Sequence, residues 1–293
     1  MHRWFSFFLL AAALAMAALP LSAAAPLVVG IIGDYGSGDT NEANVAKLVK
    51  SWNPDFIITV GDNNYPDGAS ASLDANVGQF YHEFINPYPG QYGPGAETNR
   101  FFPTLGNHDY DVPAVGRPYM GYFSGLPGNG RYYNFRRGPV EFFALNSDAA
   151  EPHGNTPVSF QATWLHKKMQ ESTVPWKLVY FHEAPYSSGY WHGSYTGEAL
   201  HMRWPFKEWG ASLVLAGHDH IYERVRAGGL TYLVNGMGGG RIDPVARRVP
   251  GSQLTYTNLH GALRLDATET NLLFQFINWQ GKVIDRVALP EGK

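Results

Sequence analysis

Two short apolar runs near the start of the chain are separated by a segment with helical periodicity. Residues 27–32 and 56–60 are apolar on both faces of an extended chain, as in strands buried inside a sheet. Between them, residues 41–52 place five apolar side chains along one side of a helix. This strand–helix–strand order predicts a parallel βαβ unit within an α/β sandwich.

The middle of the chain combines long loops with a few regular elements. Residues 86–131 are rich in Gly, Pro, Tyr and Asn, and they predict loops packed by aromatic side chains around a short apolar run at 101–105. Residues 131–146 predict a hairpin with its turn at 137–139. Thr156 and Pro157 have the features of a helix start, and this helix should continue to about residue 170.

The second half of the chain returns to buried strands. Residues 176–181 and 212–216 are continuous apolar runs, with a helix expected at 200–209 between them. Four further strands are expected at 231–234, 262–265, 271–277 and 283–287, the last two joined by a turn at 278–281. Residues 241–293 are expected to complete the second sheet of the sandwich.

The first 24 residues have the pattern of a secretory signal peptide. A short basic start is followed by an apolar stretch at 4–19, then by Pro20 and by small residues suited to cleavage after Ala24. A retained membrane anchor is the alternative, although the stretch is shorter than the roughly 20 residues of a spanning helix. We expect an exported protein, periplasmic or extracellular, with one domain at 25–293 and no membrane contact after cleavage.

Composition narrows the class of protein. The hydrophobic fraction of 44% allows a substantial core. The net charge of -3, without a block of Lys or Arg, argues against a nucleic-acid backbone as the main partner. The chain has no cysteine, so thiolate metal sites and disulfides are excluded despite the expected export.

Five short motifs contain the candidate chemistry, and most of them follow a predicted strand. They are, in order, GDYG at 33–36, GDNNY at 61–65, GNHD at 106–109, FH at 181–182 and GHDH at 217–220. Their candidate metal ligands are Asp34, Asp62, Tyr65, Asn107, His182, His218 and His220. This set suits two metal ions that share a carboxylate, an arrangement used to hydrolyse phosphate esters.

Each motif taken alone has a structural alternative. Asp34 or Asp62 could cap the segment that follows it, Asn107 could belong to an ordinary turn, and His182 could face solvent at a strand end. The two imidazoles of GHDH are the most specific single feature, and Asp219 between them is expected to orient an imidazole. The combination of all five motifs favours a metal site.

The five motifs together resemble those of the calcineurin-like metallophosphoesterase superfamily, over roughly residues 27–240. Most of that superfamily has a His two residues after the first Asp, where this chain has Gly36. Tyr65, three residues after Asp62, offers a phenolate instead, and this combination resembles the purple acid phosphatases, whose Tyr binds a ferric ion. Fe(III) is a hard cation that favours anionic oxygen, which agrees with such a ligand.

The resemblance implies an α/β fold with two facing mixed β-sheets flanked by helices, the α/β/β/α sandwich of metallophosphoesterases. The metals would lie at the strand ends. The implied ligands are Asp34, Tyr65 and His220 for Fe(III), Asn107, His182 and His218 for a second divalent ion (Fe, Zn or Mn), and Asp62 as a bridge between the two. His108 and His192 are the implied catalytic residues, which would stabilise phosphate oxygens or protonate the leaving group.

The implied activity is that of an exported acid phosphatase that hydrolyses small phosphate monoesters to alcohol and inorganic phosphate, with metal-bound hydroxide as the nucleophile. A ferric ion should supply hydroxide at lower pH than zinc would, so an acidic optimum is expected. A phosphodiesterase with the same binuclear site is the alternative, because the loops at 86–131 and 186–197 set the pocket width. A secreted metal-binding or adhesion module is a third possibility, and it would show gaps in the motif set. The sequence gives no indication of the oligomeric state.

Overall fold

The structure is a computed structural model that describes Met1, residues 25–110 and residues 116–290. The predicted signal peptide therefore lies outside the described residues, apart from Met1. Within the described part of the chain, no helix is both long and apolar enough to cross a bilayer.

Two mixed sheets make up the centre of the molecule, which confirms the predicted fold class. The strands of the described ranges are β1 (Leu27–Ile32), β2 (Phe56–Thr59), β3 (Phe101–Pro103), β4 (Tyr133–Arg137), β5 (Val140–Ala144), β6 (Trp176–Glu183), β7 (Leu213–Gly217), β8 (Tyr222–Ala227), β9 (Leu230–Asn235), β10 (Ser252–Tyr256), β11 (Gly261–Ala267), β12 (Leu272–Asn278) and β13 (Val283–Leu289). One sheet has the order β13-β12-β11-β1-β2-β3, and the other has the order β10-β8-β9-β7-β6-β5-β4.

Helices cover the outer faces of both sheets. The longer helices are α1 (Thr40–Ser51), α2 (Arg117–Tyr122) and α3 (Phe160–Glu171). Shorter helical turns occupy Ser70–Leu73, Asp74–Gly78, Gln79–Tyr81, His82–Phe84, Asn107–Asp109 and Glu198–Met202. Helix α1 begins after Asp39, whose carboxylate accepts hydrogen bonds from the backbone amides of Asn41 and Glu42 at 2.8 and 3.2 Å.

The apolar core is divided into three layers by the two sheets. The central layer lies between the sheets, where Phe56 of β2 meets Phe142 of β5 edge to face and Tyr222 of β8 stacks on Phe276 of β12. One outer layer packs α1 and the 70–84 turns on the six-stranded sheet, and the other packs α3 on the seven-stranded sheet. The inner strands are therefore buried on both faces, as their continuous apolar runs predicted.

Two predicted helices differ from those observed. The helix expected from Thr156 begins instead after Ser159, whose Oγ accepts a hydrogen bond from the backbone amide of Ala162 at 3.1 Å. Residues 200–209 do not form one helix, because only the turn Glu198–Met202 is helical. Pro205 interrupts the rest, since a proline inside a helix removes a donor and clashes with the preceding turn.

The last part of the chain was assigned to the wrong sheet. Residues 241–293 were expected to complete the second sheet, yet only β10 joins the seven-stranded sheet. Strands β11, β12 and β13 extend the six-stranded sheet instead, because β11 pairs antiparallel with β1. The sequence analysis does not predict strands β8 and β10 or the 70–84 turns. The two strands mix polar and apolar residues without a clear period.

The strand directions place the motifs at one edge of the sandwich. Strands β1, β2 and β3 are parallel to one another, and so are β5, β6 and β7. His182 lies inside β6 rather than after it, because the strand continues until Glu183 pairs with Gly217. The carboxyl ends of parallel strands are the usual position of sites in α/β proteins.

The buried carboxyl group of Glu42 gives a prediction about stability. Its Oε2 accepts a hydrogen bond from the Gly38 amide at 2.8 Å, while its Oε1 has no hydrogen-bond partner among the described residues. Burial, reinforced by the charge of Asp39, raises the pKa of Glu42 well above its ordinary value.

The Glu42→Gln variant should remove a pH dependence of stability. An unfolded Glu loses its proton near pH ~4.3, whereas the folded protein retains this proton to higher pH. The unfolded state then binds fewer protons, so the free energy of unfolding of the wild type falls as pH rises from about 4.3 towards the folded pKa. In urea unfolding at pH 5, 6, 7 and 8, the free energy of unfolding of the variant should exceed that of the wild type by an amount that grows with pH. A constant difference would contradict this, and Glu97→Gln, at an exposed position, is the control.

Candidate metal centre

Three of the predicted ligand residues have backbone conformations that residues other than glycine rarely adopt. Asp34, Asp62 and His218 have φ angles of 54°, 52° and 71°. Each residue directly follows a glycine at the end of β1, β2 or β7, so the chain turns sharply as it leaves the sheet. Such strain in non-glycine residues is concentrated at functional sites, where the surrounding structure holds it in place.

Close packing explains the glycines that begin the GHDH and GNHD motifs. A Cβ atom at Gly217 would overlap Asp34 Oδ2, and one at Gly106 would overlap Asp62 Oδ1. The backbone amide of His218 donates to both carboxylate oxygens of Asp34, at 3.0 and 3.1 Å, and that of His108 donates to Asp62 Oδ1 at 3.0 Å. These glycines therefore allow the backbone of one motif to reach the carboxylate of another.

The donors predicted for the ferric ion form one group. The phenol oxygen of Tyr65 lies 2.9 Å from Asp62 Oδ2, 3.0 Å from His220 Nε2 and 3.5 Å from Asp34 Oδ1. The carboxylates of Asp34 and Asp62 and the imidazole of His220 each offer a donor atom within 4.8 Å of the others. Three kinds of oxygen and nitrogen donor thus converge on one point.

The donors predicted for the second ion form an adjacent group. His182 Nε2 lies 3.0 Å from Asn107 Oδ1, 3.0 Å from His218 Nδ1 and 3.4 Å from Asp62 Oδ1. Asp62 touches both groups, one with each carboxylate oxygen, which is the position of a bridging ligand. The structure therefore places all seven predicted ligands in one cluster, and their roles as ligands stay a prediction.

The far nitrogen of each imidazole in this cluster faces an oxygen acceptor. His182 Nδ1 is 2.8 Å from the Val60 carbonyl, and His220 Nδ1 is 2.7 Å from the Arg241 carbonyl. His218 Nε2 is 3.3 Å from Glu198 Oε1. In the neutral imidazole with its proton on the far nitrogen, the lone pair of the near nitrogen points into the cluster. This is the usual arrangement around metal-binding histidines.

The charges of the cluster favour an ionised carboxylate at Asp34. Burial raises the pKa of Asp34, but the imidazoles of His182, His220 and His218 outweigh burial and hold this pKa below its ordinary value. Burial acts to lower the pKa of His220, but the hydrogen bond and the charge of Asp34 outweigh burial and raise this pKa to about 9. Burial and the Asp62 carboxylate raise the pKa of Tyr65 well above its ordinary value. A phenolate at Tyr65 therefore requires a highly charged cation, and Fe(III) fits this requirement.

Glu198 belongs to the site, although none of the sequence motifs includes it. Its Oε1 faces His218, and its Oε2 lies 2.9 Å from His192 Nδ1. The hydrogen bond from His218 is the largest cause of a lowered pKa for Glu198, about 2. The triad His192, Glu198 and His218 could itself hold a cation. However, His218 already turns Nδ1 towards His182, so the geometry favours Glu198 as the group that orients both imidazoles.

Two acidic residues of the motifs act on the backbone rather than on an imidazole. Asp219 was expected to orient an imidazole, but its Oδ1 accepts a hydrogen bond from the His192 backbone amide at 3.2 Å. Asp109 accepts from the Gly106 amide at 2.8 Å and from Asn63 Nδ2 at 2.8 Å. Burial raises its pKa to about 7. Both residues therefore hold the loops of the site in position.

A cavity of about 210 Å³ opens above the cluster. Its walls include both predicted catalytic residues, His108 and His192, which lie on different loops. Trp191 and Arg241 complete the rim, with the Arg241 guanidinium 5.9 Å from the Trp191 ring. The motifs did not identify these two residues. The Gly238-Gly239-Gly240 run just before Arg241 is the one sequence signal, because Gly240 packs closely against His220.

Comparison with known proteins defines the class to which this fold and site belong. Residues 27–222 match the calcineurin-like phosphoesterase family, and this match spans more than half of the chain. The chain therefore belongs to that family.

Its curated relatives narrow the resemblance within the family. The chain is 25% identical over 292 residues to purple acid phosphatase 7 of Arabidopsis thaliana, covering 89% of this chain and 85% of that protein. It is 29% identical over 234 residues to the Fe(3+)-Zn(2+) purple acid phosphatase 12 of the same plant, covering 72% and 46%. The predicted resemblance to purple acid phosphatases is thereby confirmed. The chain spans about half the length of several curated relatives that it matches.

A solved structure agrees with the fold. The purple acid phosphatase PPD1 from yellow lupin seeds superposes with a TM-score of 0.71 at 20% sequence identity. The match covers 92% of this chain and 54% of the lupin chain. At this level of identity the comparison supports the two-sheet architecture alone.

Replacing Glu198 by alanine should weaken binding of the second metal ion. Without the acceptor, His218 is free to rotate or to change its tautomer. Loss of such an orienting group typically costs about 10–100-fold in metal affinity. Metal content can be measured by plasma mass spectrometry after dialysis against increasing chelator concentrations. The variant should lose one ion at a lower chelator concentration than the wild type does and should retain the other ion. Glu208→Ala, at an exposed position, is the control. Unchanged affinity for both ions would remove Glu198 from this role.

Proposed function

We propose that this protein is an exported acid phosphatase that hydrolyses small phosphate monoesters at a binuclear metal centre. The single observation that carries the proposal is the orientation of the three imidazoles. Each has its far nitrogen engaged by Val60, Arg241 or Glu198. The near nitrogens point into the cluster, that of His182 towards Asn107 and Asp62, that of His220 towards Tyr65, and that of His218 towards His182. Packing alone does not require this arrangement for one imidazole inside β6 and two that follow β7.

The donor set supports the identity of the proposed metals. Asp34, Asp62 and Tyr65 are oxygen donors that suit Fe(III), whereas the amide and two imidazoles of the adjacent group suit a divalent ion such as Zn, Fe or Mn. One relative is named for an Fe(3+)-Zn(2+) pair, which is consistent with that division. When bound, such a pair supplies positive charge to the phosphate and a water molecule of lowered pKa as nucleophile.

The side chains of the cavity have separate roles in the proposed reaction. His108 and His192 line the cavity from loops that follow β3 and β6, strands of different sheets, so both can donate hydrogen bonds to phosphate oxygens. His108 Nδ1 contacts the Pro66 carbonyl, and its ring lies 4.7 Å from the ring of Tyr65, which fixes its plane. His192 is held through Nδ1 by Glu198. Either imidazole, when protonated, is placed to give a proton to the leaving oxygen.

A hydrolysis assay tests the proposal directly. Iron-loaded protein should hydrolyse a chromogenic phosphate monoester with a clear preference over the matching diester, and with an optimum on the acidic side of a pH 4–9 series. The reason is that Fe(III) lowers the pKa of bound water more than a divalent ion does. The Asp62→Ala variant, which loses the bridging carboxylate, should have less than about 1% of the wild-type rate. A preference for the diester, or equal rates in the variant, would overturn the proposal.

The Tyr65→Phe variant should lose a visible absorption band. A phenolate bound to Fe(III) gives a charge-transfer colour, and phenylalanine has no oxygen to provide it. Absorbance between 400 and 700 nm on the order of one iron-phenolate chromophore per chain is expected in the wild type. The Tyr256→Phe variant, which changes a phenol outside the cluster, should keep the band. An unchanged spectrum in Tyr65→Phe would exclude Tyr65 as a ligand.

A further inference from the structure

A second cavity, of about 400 Å³, lies apart from the metal centre and has no assigned role. It shares no lining residue with the cavity above the metal cluster. Both are nevertheless bounded by the same loop, since Trp191 and His192 face the metal side while Ser194 and Tyr195 face the second cavity. The second cavity is within the usual size range for sites that bind small organic molecules.

Three arginines line this cavity, and no carboxylate of the described residues does. They are Arg203, Arg247 and Arg248. Within the described part of the chain, no ion pair joins any of the three to an acidic side chain. Three guanidinium groups in one cavity without a carboxylate in its lining produce a local positive potential that an anion would neutralise.

The contacts of Arg203 and Arg248 leave most of their guanidinium donors available. Arg203 Nε donates to the Pro185 carbonyl at 3.0 Å, and its guanidinium lies 4.4 Å from the centre of the Tyr186 ring. Arg248 donates to Thr255 Oγ1 at 2.9 Å. All three contacts are with neutral groups, so they fix the two side chains without cancelling their charge. A stacked, anchored guanidinium is prepared for bidentate binding of phosphate oxygens.

Apart from Ser194, the rest of the wall is apolar or aromatic. Tyr186, Val249 and Pro250 face the same space as the guanidinium groups. The Val249 amide donates to Ser188 Oγ at 2.9 Å, and Ser188 in turn binds the buried Glu223, so this wall is tied to the seven-stranded sheet. A ligand with an anionic group and an apolar or aromatic part would match both halves of the cavity.

We infer that the cavity of Arg203, Arg247 and Arg248 binds a small phosphate-bearing anion at a site separate from the metal centre. The three guanidinium groups bind the phosphate, and the Tyr186 side of the cavity contacts the organic part. Free inorganic phosphate and a phosphorylated organic molecule share this chemistry. This inference does not depend on the proposed hydrolytic activity.

Calorimetric titration of the metal-loaded protein tests the site. The probes are inorganic phosphate and phenylphosphonate, whose carbon–phosphorus bond resists hydrolysis. Wild-type protein should show two classes of binding, one at each cavity. The double variant Arg247→Gln/Arg248→Gln should bind at least about 30-fold more weakly in one class, because each lost guanidinium removes charged hydrogen bonds. The Asp62→Ala variant should keep the class that the double variant loses.

The controls separate this site from general charge effects and from the proposed function. Arg247 and Arg248 are exposed, so their replacement should leave folding intact. Arg136→Gln removes an exposed guanidinium on β4, at the opposite edge of the seven-stranded sheet, and should leave both classes unchanged. Tighter binding of phenylphosphonate than of phosphate would identify an organic phosphate as the ligand, and equal binding would identify free phosphate. Unchanged binding in the Arg247→Gln/Arg248→Gln variant, or equal weakening by Arg136→Gln, would overturn the inference, whatever the hydrolysis assay shows.

Discussion

The hydrogen bonds from the His218 backbone amide to the Asp34 carboxylate connect the two sheets at the edge where the motifs meet. Asp34 follows β1 and His218 follows β7, so this contact fixes one sheet relative to the other. Both residues have positive φ angles, and Asp34 is completely buried. A buried carboxylate requires partners, and these amides and imidazoles provide them. The rest of the site depends on this contact, because it sets the distance between ligands from opposite sheets.

The core makes such a strained edge possible. Strands that are apolar on both faces are held between two layers of packed side chains, so their ends move little. His182 is also held by the core, because it lies inside β6 and binds the Val60 carbonyl, which follows β2 of the opposite sheet. Asp109 then joins the 61–64 and 106–109 turns through Asn63 and Gly106. A rigid scaffold can thus maintain conformations that would be unfavourable in an isolated loop.

Acidic and basic side chains occupy separate regions around the metal centre. Carboxylates gather in the metal cluster, whereas Arg241 stands at its rim and three further arginines line the neighbouring cavity. The loop carrying His192 lies between these regions, and Glu198 anchors its imidazole on the metal side. The net charge of the chain does not reveal this division, since oppositely charged regions cancel in the sum.

The sequence alone determined the parallel βαβ start, the hairpin at 131–146 and the seven candidate ligands, because local periodicity and short motifs carry that information. It did not determine the sheet joined by β11–β13, since the same apolar pattern fits either sheet and only the pairing of β11 with β1 decides between them. Nor did it identify Glu198, whose role comes from contacts with His218 and His192 on other parts of the chain. Local patterns specify which segments become strands and turns, whereas the order of strands and the partners of a distant side chain arise from packing of the whole chain.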